Sequence, residues 1–286
     1  MRCSIFNILL VLLFPCFTVM AHESADLVTE AETGDLHAQV ELADMYYNAT
    51  GLKHDFEQAL YWYSKAAAQG HAQSQHQLAK MYRIGEGTAQ DYQQAIRWYT
   101  RAAEQEHAQS QYSLGLMYAN GIGVAQDAEQ AVHWYSKAAA HNYSAAQFNL
   151  ALIYRQGAGV TRDDKQAAYW YTKAAEQGYA EAQFNLAVMY YNGAGLAQDS
   201  KQAAYWFAKA AGQGHAKSQY NLGLLYDSGV GVAQDRVQAW KWLDIAAASG
   251  YEDAVKSKDI LEQTMTADQL TEARRSAQEW LGKQGK

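Results

Sequence analysis

Apolar positions recur along this chain with two superimposed periods. In the stretch from Ala108 to Tyr118, Gln111, Leu114, Gly115 and Tyr118 fall at i, i+3, i+4 and i+7. That is the spacing of one face of an α-helix. The second period is 36 residues and does not slip: Trp62, Trp98, Trp134, Trp170, Trp206 and Trp242 keep it throughout. The columns Tyr46 to Tyr226, Leu42 to Leu222, Gln39 to Gln219 and Asp55 to Asp235 keep the same phase. Six copies without an insertion define an array of one supersecondary unit.

Each unit reads as two helices. The first ends at a turn such as Gly121-Ile122-Gly123, where glycine permits positive φ and close passage. Asp127 then opens the second helix with Gln130 three residues on, the pattern of a capping box. Asp91, Asp163 and Asp199 hold the same position, and each cap is worth about 0.5–2 kcal/mol. The second helix is expected to bury Ala131, Trp134 and Ala138, with Trp98, Trp170 and Trp206 as equivalents. Tyr135 and Tyr171 are expected to pack toward a neighbouring unit. Gly70, Gly178, Gly214 and Gly250 close the unit, but Glu106 and Asn142 take that place in two copies. Asparagine tolerates the left-handed region there and glutamate does so poorly. A lone hairpin cannot bury its apolar face, so the hairpins must stack. The predicted fold is all-α.

The run Ala-x-x-x-Leu-Gly-x-x-Tyr-x-x-Gly-x-Gly-Val-x-x-Asp-x-x-x-Ala-x-x-Trp-Tyr-x-Lys-Ala-Ala, cleanest from Ala108 through Ala139, resembles the Sel-one-like repeat. This is a longer relative of the tetratricopeptide repeat. The resemblance covers about residues 35–250 and implies a right-handed α/α superhelical solenoid. It also implies an adaptor that binds proteins without catalysis. Some secreted relatives carry paired cysteines in each repeat and are linked to β-lactam chemistry. That keeps a cell-wall or β-lactam hydrolase as the alternative function.

The opening of the chain changes how its composition reads. Met1 to Ala21 has a basic start, a short apolar core and Val19-Met20-Ala21 before His22, the arrangement of a secretory signal peptide. Cleavage there removes Cys3, Cys16 and Pro15, which are the only cysteines and the only proline. The net charge of −7 also loses Arg2. The remainder is expected to be periplasmic or secreted, with no stable membrane span after signal removal. Residues 22–34 form a lead-in and residues 251–286 a pair of capping helices. An acidic chain disfavours nucleic acid as the partner, because phosphate binding draws on Lys and Arg.

Candidate chemistry is thin. The Gly-x-Gly turns lack the third glycine of a dinucleotide fingerprint and follow helices. His71, His107 and His215 share a column with Tyr143, Tyr179 and Tyr251, which marks a place for a half-buried ring. The aspartates are explained by capping. No cofactor, metal or catalytic residue is expected.

The informative positions are those that vary between units. On the first helices they include Leu116, Leu152, Val188 and Leu224 beside Asn149, Asn185 and Asn221. A further column holds Arg83, Arg155 and Tyr191. If first helices line the inner wall of the solenoid, this set offers amides to a peptide backbone and aliphatic surface to side chains. The competing reading is that the asparagines bridge adjacent helices. The expected partner is a protein or peptide.

Overall fold

The computed structural model describes residues 26–284. The expected signal peptide, with both cysteines and the proline, lies outside them. The described residues are helix and turn, with no strand among them. Helix α1 covers residues 26–32. The first helices of the units are α2 (Leu36–Asn48), α4 (Ala72–Ile84), α6 (Ala108–Asn120), α8 (Ser144–Gln156), α10 (Ala180–Asn192) and α12 (Ala216–Ser228). The second helices are α3 (Phe56–Ala68), α5 (Tyr92–Glu104), α7 (Ala128–Ala140), α9 (Asp164–Glu176), α11 (Ser200–Gly212) and α13 (Arg236–Ala248). Helices α14 (Glu252–Glu262) and α15 (Ala267–Gln284) complete the chain. The chain divides into two compact units, one ending at Gln126 and the other starting at Asp127. Each is a run of stacked helix-turn-helix repeats, an α/α solenoid.

The aspartate column caps every second helix. Oδ1 of Asp55, Asp91, Asp127, Asp163, Asp199 and Asp235 accepts the N–H of the glutamine three residues on, at 3.0 Å each time. The reciprocal half of the predicted box does not form. The N–H of Asp55, Asp91, Asp163, Asp199 and Asp235 instead donates to the carbonyl of the column tyrosine ending the preceding helix, Tyr46, Tyr82, Tyr154, Tyr190 and Tyr226. The backbone thus satisfies the donor that a glutamine side chain would have taken.

First helices start in two interchangeable ways. His71, His107 and His215 turn Nδ1 onto the N–H of Ser74, Ser110 and Ser218, acting as N-caps. Where the column holds Tyr143, Tyr179 or Tyr251, no side-chain cap forms and the serine is replaced by Ala146, Ala182 or Ala254. In both versions the ring packs on a ring of the preceding repeat. His107 lies 5.0 Å from His76, Tyr179 5.0 Å from Phe148, His215 4.9 Å from Phe184 and Tyr251 5.0 Å from Tyr220. The column is therefore a stacking site first and a capping site only when histidine occupies it.

The second glycine of each Gly-x-Gly turn is fixed by proximity. A Cβ on Gly195 would stand 2.1 Å from the carbonyl oxygen of Asp164, and one on Gly231 2.0 Å from that of Ser200. The turn thus rests on the N-terminus of the previous unit's second helix. At the unit ends, Glu106 (φ 63°) and Asn142 (φ 59°) both take the left-handed conformation.

Burial on the second helices differs from the tryptophan-centred expectation. Trp62, Trp134 and Trp242 are buried, whereas Trp98, Trp170 and Trp206 are only half-buried. The fully buried ring is one residue later: Tyr63, Tyr99, Tyr135, Tyr171 and then Phe207. Tyr171 meets Phe148 of its own repeat at 5.8 Å, so it packs within the hairpin. The half-buried Trp206 spans a seam and touches the cores on both sides of it. At the end of the second unit, Thr266 and Gln269 form a full reciprocal capping box (2.9 and 3.2 Å) and start α15. Ala273, Ala277 and Trp280 then cover α13, with Trp280 edge-on to Trp242 at 5.7 Å.

Candidate protein-binding face

The variable columns lie on the first helices, and their surroundings differ between the two units. In the second unit, Leu152, Val188 and Leu224 are half-buried and rest on the core. Beside them, Nδ2 of Asn185 donates to the Glu181 carbonyl at 2.8 Å, and Nδ2 of Asn221 to the Lys217 carbonyl at 2.7 Å. Nη1 of Arg155 donates to Oδ1 of Asn185 at 3.0 Å, joining α8 to α10. Asn149 is engaged as well. The asparagines thus spend much of their capacity inside the fold, and Asn185 bridges neighbouring helices. Tyr191 stands 42% exposed on the same face.

In the first unit the aliphatic column is charged at its first two positions. Position 44 is Asp44, which accepts the Tyr63 hydroxyl. Burial and the adjacent carboxylate push the Tyr63 phenol up, so it stays a donor. Position 80 is Lys80, whose Nζ donates to the Tyr47 hydroxyl at 3.0 Å, and Tyr47 donates to Glu86 at 2.9 Å. Arg83 flanks this network and its carbonyl accepts Nε2 of Gln90. Leu116 restores an aliphatic residue on α6. The charged half was legible by extending the aliphatic column back to positions 44 and 80.

A second network escaped sequence reading. The buried glutamine column ties each repeat to the one before it. Nε2 of Gln39, Gln75, Gln111, Gln147, Gln183 and Gln219 donates at 3.0–3.1 Å to a backbone carbonyl eight residues earlier. In four repeats its Oε1 accepts from a glutamine at the C-cap of the same repeat: Gln69, Gln105, Gln177 or Gln213, at 2.7–2.9 Å. The other two repeats hold His141 and Ser249 at that C-cap. Oε1 of Gln111 and of Gln219 has no partner among the described residues.

The Ser–His pairs are structural. Ser74, Ser110 and Ser218 are fully buried, with Oγ 2.8–3.0 Å from histidine Nδ1. A substrate carbonyl could not reach those hydroxyls. His107 Nε2 donates to Gln73 Oε1 (2.9 Å), so its Nδ1 accepts from Ser110, and Ser110 Oγ in turn accepts from His76 Nδ1 (2.9 Å). Burial, reinforced by His107, Lys80 and Arg83, pushes the His76 pKa down to about 4. Burial lowers that of His107 too. Among the described residues no three His, Cys, Asp or Glu side chains gather to hold a metal, and no helix is long and apolar enough to cross a membrane.

Helical hairpins stacked by a repeated set of buried columns define a tetratricopeptide-like repeat protein. The chain belongs to the Sel1 repeat family, whose model matches residues 36–71, 72–107, 108–143, 144–179, 180–215 and 216–251. It is similar to a protective antigen of uropathogenic Escherichia coli strains displaying an SLR fold, with 37% identity and a TM-score of 0.78. That match covers 92% of this chain but 56% of the antigen, so the chain spans little more than half of its relative's length. It is also similar to a Sel1 repeat protein from Oxalobacter formigenes, with 33% identity, a TM-score of 0.64 and coverage of 74% and 85% of the two chains. No curated protein matches. These relatives give the hydrolase alternative no support, and residues 35–250 contain none of the paired cysteines of the branch it was drawn from.

Proposed function

We propose that this protein is a non-catalytic, exported scaffold that binds a protein or peptide partner along the first helices of its second unit. The observation carrying this reading is the contrast between columns. The aspartate caps and the buried leucine and glutamine columns repeat in all six copies, while Leu152, Val188, Leu224, Tyr191 and Arg155 stand in columns that change along the chain and lie on one face. Aliphatic ridges flanked by an aromatic ring and a guanidinium match the composition of protein interfaces. The likeness to a bacterial antigen and the signal-like Met1 to Ala21 support export to the periplasm or beyond.

Because Asn185 is bonded to Arg155, the bridge and the binding role can be separated. Val188→Ser with Leu224→Ser should weaken capture of the partner from an envelope extract by more than tenfold; because both side chains also rest on the core, Tm should fall too, and capture is compared well below it, where circular dichroism shows the helices intact. Asn185→Ala with Asn221→Ala should lower Tm with a smaller loss of capture. Undiminished capture by the aliphatic double variant would remove this face from the reading.

A further inference from the structure

The second helices carry exposed tyrosines that neither stacking nor the first-helix face uses. In the second unit, Tyr169 and Tyr205 are 52% and 49% exposed, high for aromatic rings on helices. Each stands edge-on to the half-buried indole that follows it: Tyr169 to Trp170 at 4.9 Å and 80°, Tyr205 to Trp206 at 5.0 Å and 81°. Each also has a lysine one turn on with Nζ over its ring, Lys173 at 5.8 Å and Lys209 at 5.5 Å. The arrangement is thus duplicated on neighbouring second helices, α9 and α11.

A cleft of about 440 Å³ opens beside the second platform. Tyr205, Trp206 and Lys209 form one wall, and Glu176, Gln183 and Gln213 supply the polar groups. Gln213 spends one N–H on Gln183 Oε1 (2.8 Å), which orients its amide and leaves a donor and an acceptor for a ligand. Gln177 is held in the same way on Gln147 (2.7 Å) beside the first platform. The cleft has no aliphatic wall beyond Ala175, unlike the apolar centre of a protein interface. It offers ring faces, oriented amides and one charge of each sign.

The geometry points to a glycan strand of N-acetylated amino sugars as the occupant of this second-helix face. A pyranose ring presents an apolar C–H face that packs on tyrosine or indole, and polar edges that need fixed donors and acceptors. An acetamido group is the amide complement of Gln213: its carbonyl takes the free N–H of Gln213, and its N–H donates to Glu176. Lys209 bonds ring hydroxyls. Two platforms one repeat apart suit a polymer better than a single sugar, because linked sites add by effective concentration.

Tryptophan fluorescence of the protein, titrated with hexa-N-acetylchitohexaose and with cellohexaose, tests the assignment. The acetylated oligomer should bind saturably, and cellohexaose, lacking the acetamido groups, at least tenfold more weakly. Tyr169→Ser with Tyr205→Ser should reduce binding of the acetylated oligomer at least tenfold. Gln213→Ala, a milder change, should reduce it severalfold, while Val188→Ser with Leu224→Ser leaves it unchanged. Absence of saturable binding, equal affinity for cellohexaose, or binding undiminished in the tyrosine and Gln213 variants would overturn the proposal. Tighter binding of poly-glutamate than of either sugar would also overturn it and assign the face to an acidic peptide.

Discussion

Gln219 offers a direct test of the glutamine network. Its side chain is fully buried, its Nε2 is bonded to the Ala211 carbonyl, and its Oε1 has no partner among the described residues. In four other repeats a C-cap glutamine fills that place, whereas here Ser249 folds its Oγ back onto the Ile245 carbonyl at 3.1 Å. Ser249→Gln should restore the missing donor. A buried acceptor left unpaired costs about 1–3 kcal/mol, and ordering a glutamine side chain costs up to about 2 kcal/mol. The C-cap position is exposed, so that entropy is only partly lost, and a net gain of about 1 kcal/mol is expected. For a chain of this size that is a rise in Tm of about 2–4 °C. Thermal unfolding followed by circular dichroism would register it. Ser249→Met separates the bond from the added bulk, since it matches glutamine in length and cannot donate. Equal Tm values for the glutamine and methionine variants would refute the reasoning and mean that Oε1 is already satisfied by solvent.

Other consequences follow from strained and buried positions. His76 titrates near 4 in the fold and near 6.5 when unfolded, so the unfolded chain binds more protons between those values. Stability should therefore be fully present above about pH 6.5 and fall as pH drops toward 4, by up to about 3 kcal/mol from this group. His76→Phe, using a residue its column holds elsewhere, should flatten urea midpoints measured from pH 7 to 4.5; an unaltered slope would clear His76 of the effect. Gly195→Ala forces a Cβ at φ +71° to 2.1 Å from backbone and should cost at least about 3 kcal/mol. Gly178→Ala at φ +88°, with nothing within 4 Å, should cost only about 1 kcal/mol, and calorimetry that ranks the two equally would contradict the close approach. Glu106→Gly relieves a left-handed glutamate and should raise stability by about 1 kcal/mol; a lower Tm would show that the glutamate side chain holds the junction.

The repeat was legible because its signals are local. Helix period, aspartate caps and glycine turns each act within a few residues, and a fixed spacing put their copies in phase. Burial was less legible. Tryptophan and the aromatic residue after it lie about 100° apart on a helix, and only the packed hairpin decides that Phe207 meets Phe184 of the partner helix while Trp206 faces the seam. The pairing of His71, His107 and His215 with a serine three residues on, against tyrosine with alanine, was present in the letters. Its meaning needed the stacked ring of the preceding repeat. On the candidate face, the residues stood on the first helices as their spacing implied. Spacing could not tell that Arg155 would occupy Asn185, because that bond joins side chains 30 residues apart.

The glutamine column also bears on how such a chain can change length. Its bond to the previous repeat ends on a main-chain carbonyl, which every residue type supplies, while its side-chain partner lies inside its own repeat. This bond is thus indifferent to which unit comes before, and recombination that inserts or deletes whole units leaves it intact, so that only the stacked rings and side-chain bridges of the junction need to match. Two kinds of surface, one per helix layer, could then be lengthened together, one unit at a time.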